Sequence, residues 1–286
     1  MRVLVFGRTG QLGRELAALA GPDLDIAALG REAADLTDAA ACAAAVAETG
    51  ADAVINAAAF TAVDRAEAEE AAATRINAEA PAAMAAAAAA RGLPFLHVST
   101  DYVFSGVAGR PWREDDAPGP LSAYGRSKLA GERAVMAAHP QAVILRTAWV
   151  FSAHGSNFVK TMLRLAAGRE RLRVVDDQKG GPTPAAAIAE ALIAIARARL
   201  AGAGAPGIFH FAGTPAVSWC GFAREILARA GLSTPVDAIA SAEFPTPARR
   251  PANSVLDCAR IRTVYGIAQP DWREGLDAVL DRLGAA

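Results

Sequence analysis

The sequence lacks most of what would mark it for nucleic acid, a membrane or a metal. Its 286 residues carry 29 Lys+Arg against 30 Asp+Glu, a formal net charge of −1. A nearly neutral chain has no charge-driven reason to bind nucleic acid or an anionic membrane surface. The three cysteines, Cys42, Cys220 and Cys258, are widely spaced and lie outside any C-x-x-C pattern. They read as free buried thiols in a reducing cytoplasm, not as a disulfide framework or a zinc site. His97, His139, His154 and His210 form no ligand spacing, so no role is assigned to them and no metal site is expected. The alanine run Ala85 to Ala90 is too short to span a bilayer and is flanked by charges, so it reads as helix. The N-terminus reads as a folded strand and not a leader peptide, so nothing is expected to mark the chain for export. Lysine is scarce beside arginine, which makes each lysine more informative than usual.

Hydrophobic residues, by contrast, make up 53% of the chain, enough for a sizeable core in one large or two modest domains. Much of this is alanine, which favours helix but adds little packing volume. The stretch that organises the rest is Met1 to Arg14, MRVLVFGRTGQLGR. Arg2 to Phe6 reads as a buried parallel strand ending in glycine. Gly7, Gly10 and Gly13 follow at three-residue spacing, and an apolar helical pattern (Leu12, Leu16, Leu19) starts among them. A strand turning through glycines into a helix leaves free N–H groups at the helix start, where they and the helix dipole favour phosphate. Gly7 would allow the tight turn, Gly10 the approach to a pyrophosphate, and Gly13 close helix–strand packing. No P-loop lysine is present, which argues against an NTPase.

Further strands are expected at Asp25–Leu29, Ala53–Asn56, Pro94–Ser99 and Ala142–Thr147. Helices are expected near Gln11–Leu19, Asp38–Glu48, Ala66–Arg91 and Ala123–Ala138. This βαβα rhythm predicts an α/β fold with a doubly wound, Rossmann-type parallel sheet over residues 1–150. After Val150 the rhythm changes. Helices are expected at Gly155–Gly168, Pro184–Leu200, Ser218–Ala230 and Asp271–Leu283, with short apolar runs at Leu172–Val175 and Ile208–Phe211 and a proline-rich loop from Glu243 to Arg250. Residues 151–286 are therefore read mainly as a smaller, substrate-binding lobe over the carboxyl edge of the sheet, with segments that can interleave with the first domain.

The residues that carry chemistry are Thr100, Tyr124 and Lys128. Tyr124 and Lys128 are four apart at a helix start and so share a face. A phenol with a reference pKa of about 10 is a poor acid–base catalyst at neutral pH. A neighbouring cation lowers that pKa, and a lysine can also hold ribose hydroxyls. Thr100 ends the fourth strand, where its hydroxyl can meet a substrate oxygen. The second strand ends in Leu29-Gly30-Arg31, where NAD-specific folds place an acid for the ribose 2′-hydroxyl. Arg31 would suit a 2′-phosphate, which points to NADPH with room for NADH.

The spacing G-x-x-G-x-x-G resembles the fingerprint of extended short-chain dehydrogenases/reductases. The ordered set Gly7 to Gly13, Asn56 to Asp64, Ser99-Thr100-Asp101-Tyr102-Val103-Phe104, Tyr124-Gly125-Arg126-Ser127-Lys128, Arg146 to Val150, Asn157-Phe158-Val159, Asp177 to Thr183 and Arg250 to Ser254 is similar to the dTDP-4-dehydrorhamnose reductase family over nearly the whole chain. The resemblance implies reduction of the C4 keto group of dTDP-4-dehydro-L-rhamnose by NAD(P)H. Tyr124 would be the general acid, Lys128 its modulator and ribose ligand, and Thr100 a donor to the carbonyl oxygen. Gly10, Gln11 and Leu12 would hold the pyrophosphate, Asp35 and Leu36 the adenine, and Ala59, Phe60, Thr61 and Val98 the nicotinamide side. Many members carry histidine at the Phe60 position, so a polar role is lost there and a backbone contact would remain. Asp101, Tyr102 and Trp149 would line the sugar site.

Each assignment has a plainer counterpart. Trp149 is either a sugar platform or core, Asp101 a ligand or a turn cap, and Asn157 a substrate contact or a helix cap. Arg249 and Arg250 are either diphosphate ligands or a solvated pair. Some family members use Mg²⁺, but no ligand cluster here stands for it, and a homodimer is expected by analogy alone. Two rival readings use the same fold. One is a nucleotide-sugar epimerase or dehydratase with tightly held NAD. The other is a non-catalytic NADP-binding regulatory subunit, against which the intact Thr100, Tyr124 and Lys128 set argues.

Overall fold

The computed structural model describes residues 1–285. Its first half runs β1 (Arg2–Phe6), α1 (Gln11–Ala18), β2 (Asp25–Leu29), α2 (Ala39–Glu48), β3 (Ala53–Asn56), α3 (Val63–Ala66), α4 (Glu70–Thr74), a π-helical turn (Arg75–Glu79), α5 (Ala80–Ala90), β4 (Phe95–Thr100), α6 (Ala123–Ala138) and β5 (Val143–Thr147). The second half runs β6 (Val150–Phe151), α7 (Phe158–Ala166), β7 (Leu172–Val175), β8 (Lys179–Gly180), β9 (Thr183–Pro184), α8 (Ala185–Leu200), β10 (Gly207–His210), β11 (Val217–Ser218), α9 (Trp219–Arg229), β12 (Val236–Ile239), α10 (Ala259–Tyr265) and α11 (Trp272–Leu283).

Six strands form the central sheet in the order β10-β5-β4-β3-β1-β2. All five pairings are parallel. Strands such as Val143–Thr147 are buried along their whole length, as a sheet covered by helices on both faces requires. The sixth strand comes from the second half of the chain: Gly207–His210 pairs with Val143–Arg146, so the sheet draws on residues beyond Val150. Helix α8 likewise returns to pack on α1, joining Leu12 and Leu16 to Ile188, Leu192 and Ile195 in one core. On the other face α2, α5 and α6 cover the sheet through Val46, Met84, Ala88 and Val135.

The helix expected over Ala66–Arg91 is four pieces instead. Pro81 has no N–H to give the Asn77 carbonyl, and its ring would crowd that carbonyl in regular α geometry. The π turn over Arg75–Glu79 relieves that conflict and turns the Asn77 amide onto Phe60 and Ser127. Alanine dominates this stretch, so no apolar stripe signalled the break.

The second lobe has its own core of Phe151, Val159, Leu172, Phe222, Ile226, Trp272 and Leu276. Around it lie three two-stranded pairs, β6–β9, β7–β12 and β8–β11.

One buried ion pair links strands β4, β5 and β10 to helix α6. Arg146 Nε and Nη2 donate to Glu132 Oε1 and Oε2 at 2.8 and 2.7 Å, and each side chain is only 2% exposed. Ser99 donates its hydroxyl to the same carboxylate. His210 lies 3.4 Å from Arg146 Nη1 and 3.1 Å from the Trp112 carbonyl. Burial, then the Arg146 charge, pulls His210 down to about 3. It is therefore neutral, donating from Nδ1 to Trp112 and accepting at Nε2 from Arg146. Removing one partner strands a buried charge, so Glu132→Ala is expected to cost about 3–5 kcal/mol in urea unfolding. A loss below about 1 kcal/mol would mean that the pair does not hold these elements together.

Candidate active site

The glycine turn after β1 builds one end of the site. Gly7 sits at φ 104°, its N–H and that of Arg8 both donate to the Leu29 carbonyl, and its own carbonyl accepts from Gly10. Any side chain at Gly13 would run its Cβ into that Gly7 carbonyl. Helix α1 then starts at Gln11, with Gly10 as a cap that offers no side chain and no acid in the first turn. Its leading N–H groups are left for an anion, so the cradle fits the diphosphate of a dinucleotide.

A cavity of about 720 Å³ opens from this turn across the carboxyl ends of the sheet strands. It sits where strand order reverses between β1 and β3, the switch point at which doubly wound sheets bind ligands. Of the residues expected at the cofactor, Gly7, Gly10, Gln11, Leu12, Ala59, Thr61 and Val98 line it. So do the reactive and sugar-side candidates Thr100, Asp101, Tyr102, Tyr124, Lys128 and Trp149.

Local sequence explains how the reactive side chains come together. Parallel pairing sets Thr100 beside Thr147 at the strand ends. Ser122 caps α6 by accepting from the Gly125 N–H at 3.1 Å, which fixes the first turn that carries Tyr124. Gly125 lies against the Tyr102 carbonyl, where a Cβ would collide, so helix and β4 loop approach closely. Tyr124 and Tyr102 meet edge to face, with ring centres 5.6 Å apart. Thr100 donates its hydroxyl to Asp101 Oδ1 at 2.9 Å and accepts from the Tyr102 N–H at 3.2 Å.

Burial dominates the electrostatics. It pushes the Tyr124 phenol up to about 12, with the Thr100 hydroxyl acting in the opposite sense. It pulls Lys128 down to about 8, opposed by the Glu132 charge. Lys128 Nζ donates to the Val98 carbonyl at 2.7 Å and lies 3.3 Å from His97 Nε2. Asp101 is pushed up to about 6 by burial, with Ser254 and Thr100 opposing. Its Oδ2 is buried without a hydrogen bond, as is the Thr147 hydroxyl.

Other expected residues sit outside the cavity wall. Asn157 caps α7, accepting from the Lys160 N–H at 3.1 Å, and its amide donates to Gln11 Oε1 at 2.9 Å. Arg250 is paired with Asp64, Nη2 to Oδ2 at 2.9 Å and Nη1 to Oδ1 at 3.1 Å. Phe60 is buried, and its N–H and carbonyl are both taken by the Asn77 amide, at 2.8 and 3.1 Å. Its N–H is thus already used, and only the second lone pair of its carbonyl is left for the expected backbone contact. At the end of β2, Arg31 pairs with Asp35 at 2.9 Å. The Thr37 amide, then Arg31, holds the Asp35 carboxyl below its ordinary range. Leu36 is buried.

Several residues at the site were given no role by the sequence. Trp219 lines the cavity and stacks on Trp149 with ring centres 3.5 Å apart, and Trp149 itself sits at φ 49°. Arg8 reaches Glu32 at 2.6 Å beside the Gly30 turn. Ala57 and Ala58 also line the cavity. The remaining signal was the tryptophan count, since four such residues in one chain are worth placing individually. Among the described residues no group of three or more His, Cys, Asp or Glu side chains could hold a metal ion, and no helix is long and apolar enough to cross a membrane.

Comparison with known proteins places this geometry. The family model described as RmlD substrate binding domain matches residues 1–285. The chain is 45% identical over 280 residues to a dTDP-4-dehydrorhamnose reductase of Sinorhizobium fredii, covering 96% of this chain and 95% of that protein. The corresponding Escherichia coli reductase is 39% identical, with 99% and 98% covered. Among solved structures, a Clostridium acetobutylicum dTDP-4-dehydrorhamnose reductase superposes with a TM-score of 0.93 at 38% identity, over 99% of this chain and 100% of that one. A Bacillus anthracis reductase in complex with NADP gives 0.92 at 35% identity, with 98% and 99% covered. The cavity and its residues thus belong to a chain that is a member of the dTDP-4-dehydrorhamnose reductase family.

Proposed function

We propose that this chain reduces the C4 keto group of dTDP-4-dehydro-L-rhamnose to give dTDP-L-rhamnose, with Tyr124 as the general acid. The observation that carries the reading is that one cavity joins the glycine turn to Thr100, Tyr124 and Lys128. The NADP complex of the Bacillus anthracis relative supports NADP as the cofactor type. When bound, NAD(P)H supplies the hydride to C4. The protein supplies a proton and a place for negative charge. Burial keeps Tyr124 protonated, the form a general acid needs. Thr100 turns its hydroxyl from Asp101 to the substrate oxygen and stabilises the charge developing there. Lys128, one helical turn from Tyr124, holds the ribose and stabilises the phenolate left after proton transfer. Asp101, Tyr102 and Trp149 wall the sugar side, and Arg250 would exchange Asp64 for the substrate diphosphate. The Asn157 amide donates to Gln11, which supports a role at the site through that residue.

The reductase reading outweighs its rivals. A UDP-glucose 4-epimerase from Thermotoga maritima superposes with a TM-score of 0.82 but at 17% identity, a likeness of fold alone. The cytoplasm suits the three buried free thiols. A homodimer is proposed on family analogy, and sedimentation of the purified chain as a monomer would end it.

Tyr124→Phe is expected to lower kcat by about 10²–10⁴-fold in an assay that follows loss of reduced-nicotinamide absorbance with dTDP-4-dehydrorhamnose. Near-normal turnover would remove Tyr124 from the mechanism. Purified protein carrying stoichiometric NAD would instead favour an epimerase or dehydratase. Arg31 and Arg8 bring two guanidinium groups to the end of β2, each now paired with an acid. If Arg31 meets a 2′-phosphate, Arg31→Ala lowers kcat/KM for NADPH about tenfold, the low end for an exposed charge-assisted hydrogen bond, and leaves NADH nearly unchanged. Equal losses with both cofactors would exclude that contact.

A further inference from the structure

A chain of buried hydrogen bonds runs from the wall of the cofactor site to Lys128. It starts at the backbone N–H of Ala58, which donates to Asn56 Oδ1 at 3.1 Å. A backbone N–H can only donate, so this contact fixes which end of the Asn56 amide is oxygen. The Asn56 Nδ2 group then faces His97 Nδ1 at 3.1 Å, and it too can only donate. Nδ1 of His97 must therefore be the unprotonated nitrogen. Asn56 and His97 are both fully buried, so no solvent intervenes. A neutral imidazole with Nδ1 bare carries its proton on Nε2. That Nε2–H points at Lys128 Nζ, 3.3 Å away. The contact is a hydrogen bond only if Nζ has a lone pair to accept with.

We infer that Asn56 and His97 are positioning residues that favour the neutral amine of Lys128 over its cation in the ligand-free enzyme, so that the lysine gives up its proton at lower pH. One Nζ–H donates to the Val98 carbonyl, the lone pair accepts from His97, and the second N–H is left toward the cavity. Protonating Lys128 sets N–H against N–H at His97. Moving the His97 proton to Nδ1 transfers the conflict to Asn56, and flipping Asn56 transfers it to the Ala58 amide. The cationic lysine is thus reached only by giving up one buried hydrogen bond.

Other charges near Lys128 leave this intact. His97 and Val98 face it from β4, and Tyr124 and Glu132 from α6. Glu132 would favour the cation, but both its oxygens already accept from Arg146 of β5 and one also accepts from Ser99. Asp101 lies beyond Thr100 and is pushed up to about 6 by burial. Burial likewise disfavours the Lys128 cation. The consequence for catalysis rests on the proposed role of Lys128: the cation that eases proton release from Tyr124 is lost as pH rises through the lysine pKa. The relay brings that loss to lower pH.

The test is nuclear magnetic resonance on the full, ligand-free chain, labelled at histidine ring nitrogens and lysine side chains. The four histidines and the scarcity of lysine keep such spectra simple. The expected result is a His97 ring with its proton on Nε2 and a bare Nδ1. In Asn56→Asp both carboxylate oxygens accept, from Ala58 and from His97 Nδ1–H, so the ring reverses and Nε2 becomes an acceptor. The Lys128 midpoint should then rise by at least one pH unit, and the alkaline limb of kcat should move with it. A His97 proton on Nδ1 in the wild type overturns the inference, as does a folded Asn56→Asp protein whose Lys128 midpoint is unchanged. Should Asn56→Asp fail to fold, the wild-type tautomer alone decides. Because the spectra need no substrate, they stand apart from any failure of the reductase assay.

Discussion

The bidentate contact between Arg146 and Glu132 is the constraint on which the working geometry depends. Arg146 is the residue before Thr147 on β5, Glu132 is one helical turn beyond Lys128 on α6, and Ser99 precedes Thr100 on β4. One dry ion pair therefore locks β5, and through Ser99 the strand that ends at Thr100, to the helix that carries the phenol and the amine. A buried pair of this kind is weak as a source of net stability, because desolvation consumes much of its attraction. Its value here is directional. The fork allows few relative placements of β5 and α6, and hence of Thr100, Tyr124 and Lys128.

Around that lock, the site is shaped by what is withheld from solvent. Tyr124 is kept protonated, the Lys128 cation is made easier to deprotonate and Asp101 is made a weaker acid, all chiefly by burial. Perturbed groups gathered in one cavity are what an acid–base site requires. The phosphate end works differently, through bare backbone N–H groups at a helix start. The cavity thus joins an open polar cradle to a dry reactive wall.

The central architecture was legible in the sequence because its strands are short, mainly apolar runs, of which β1 and β2 run into glycine and β4 and β5 end at threonine. Arg2–Phe6, Asp25–Leu29 and Ala53–Asn56 form strands at those bounds. Tyr124 and Lys128 were legible because a one-turn spacing at a helix start has few other meanings once Thr100 ends a strand. The pieces that escaped are those with no period to read. The pairs β6–β9 and β8–β11 are two residues per strand, and α10 is a seven-residue helix. The break within 66–91 was hidden because alanine fits either face of a helix. Partners across long sequence distances were also unreadable: nothing near Arg250 names Asp64, and nothing near Asn157 names Gln11.

The return of the chain to pair β10 with β5 bears on how such an enzyme can diversify. The nucleotide-binding sheet is completed only after α7, β7, β8, β9 and α8 have been laid down. The second lobe is therefore threaded through the fold and is not appended to it. No single cut separates the two without stripping a strand from the sheet and α8 from α1. A crossover at one point therefore cannot swap one lobe and leave the other whole, because β10 and α8 travel with the second half of the chain.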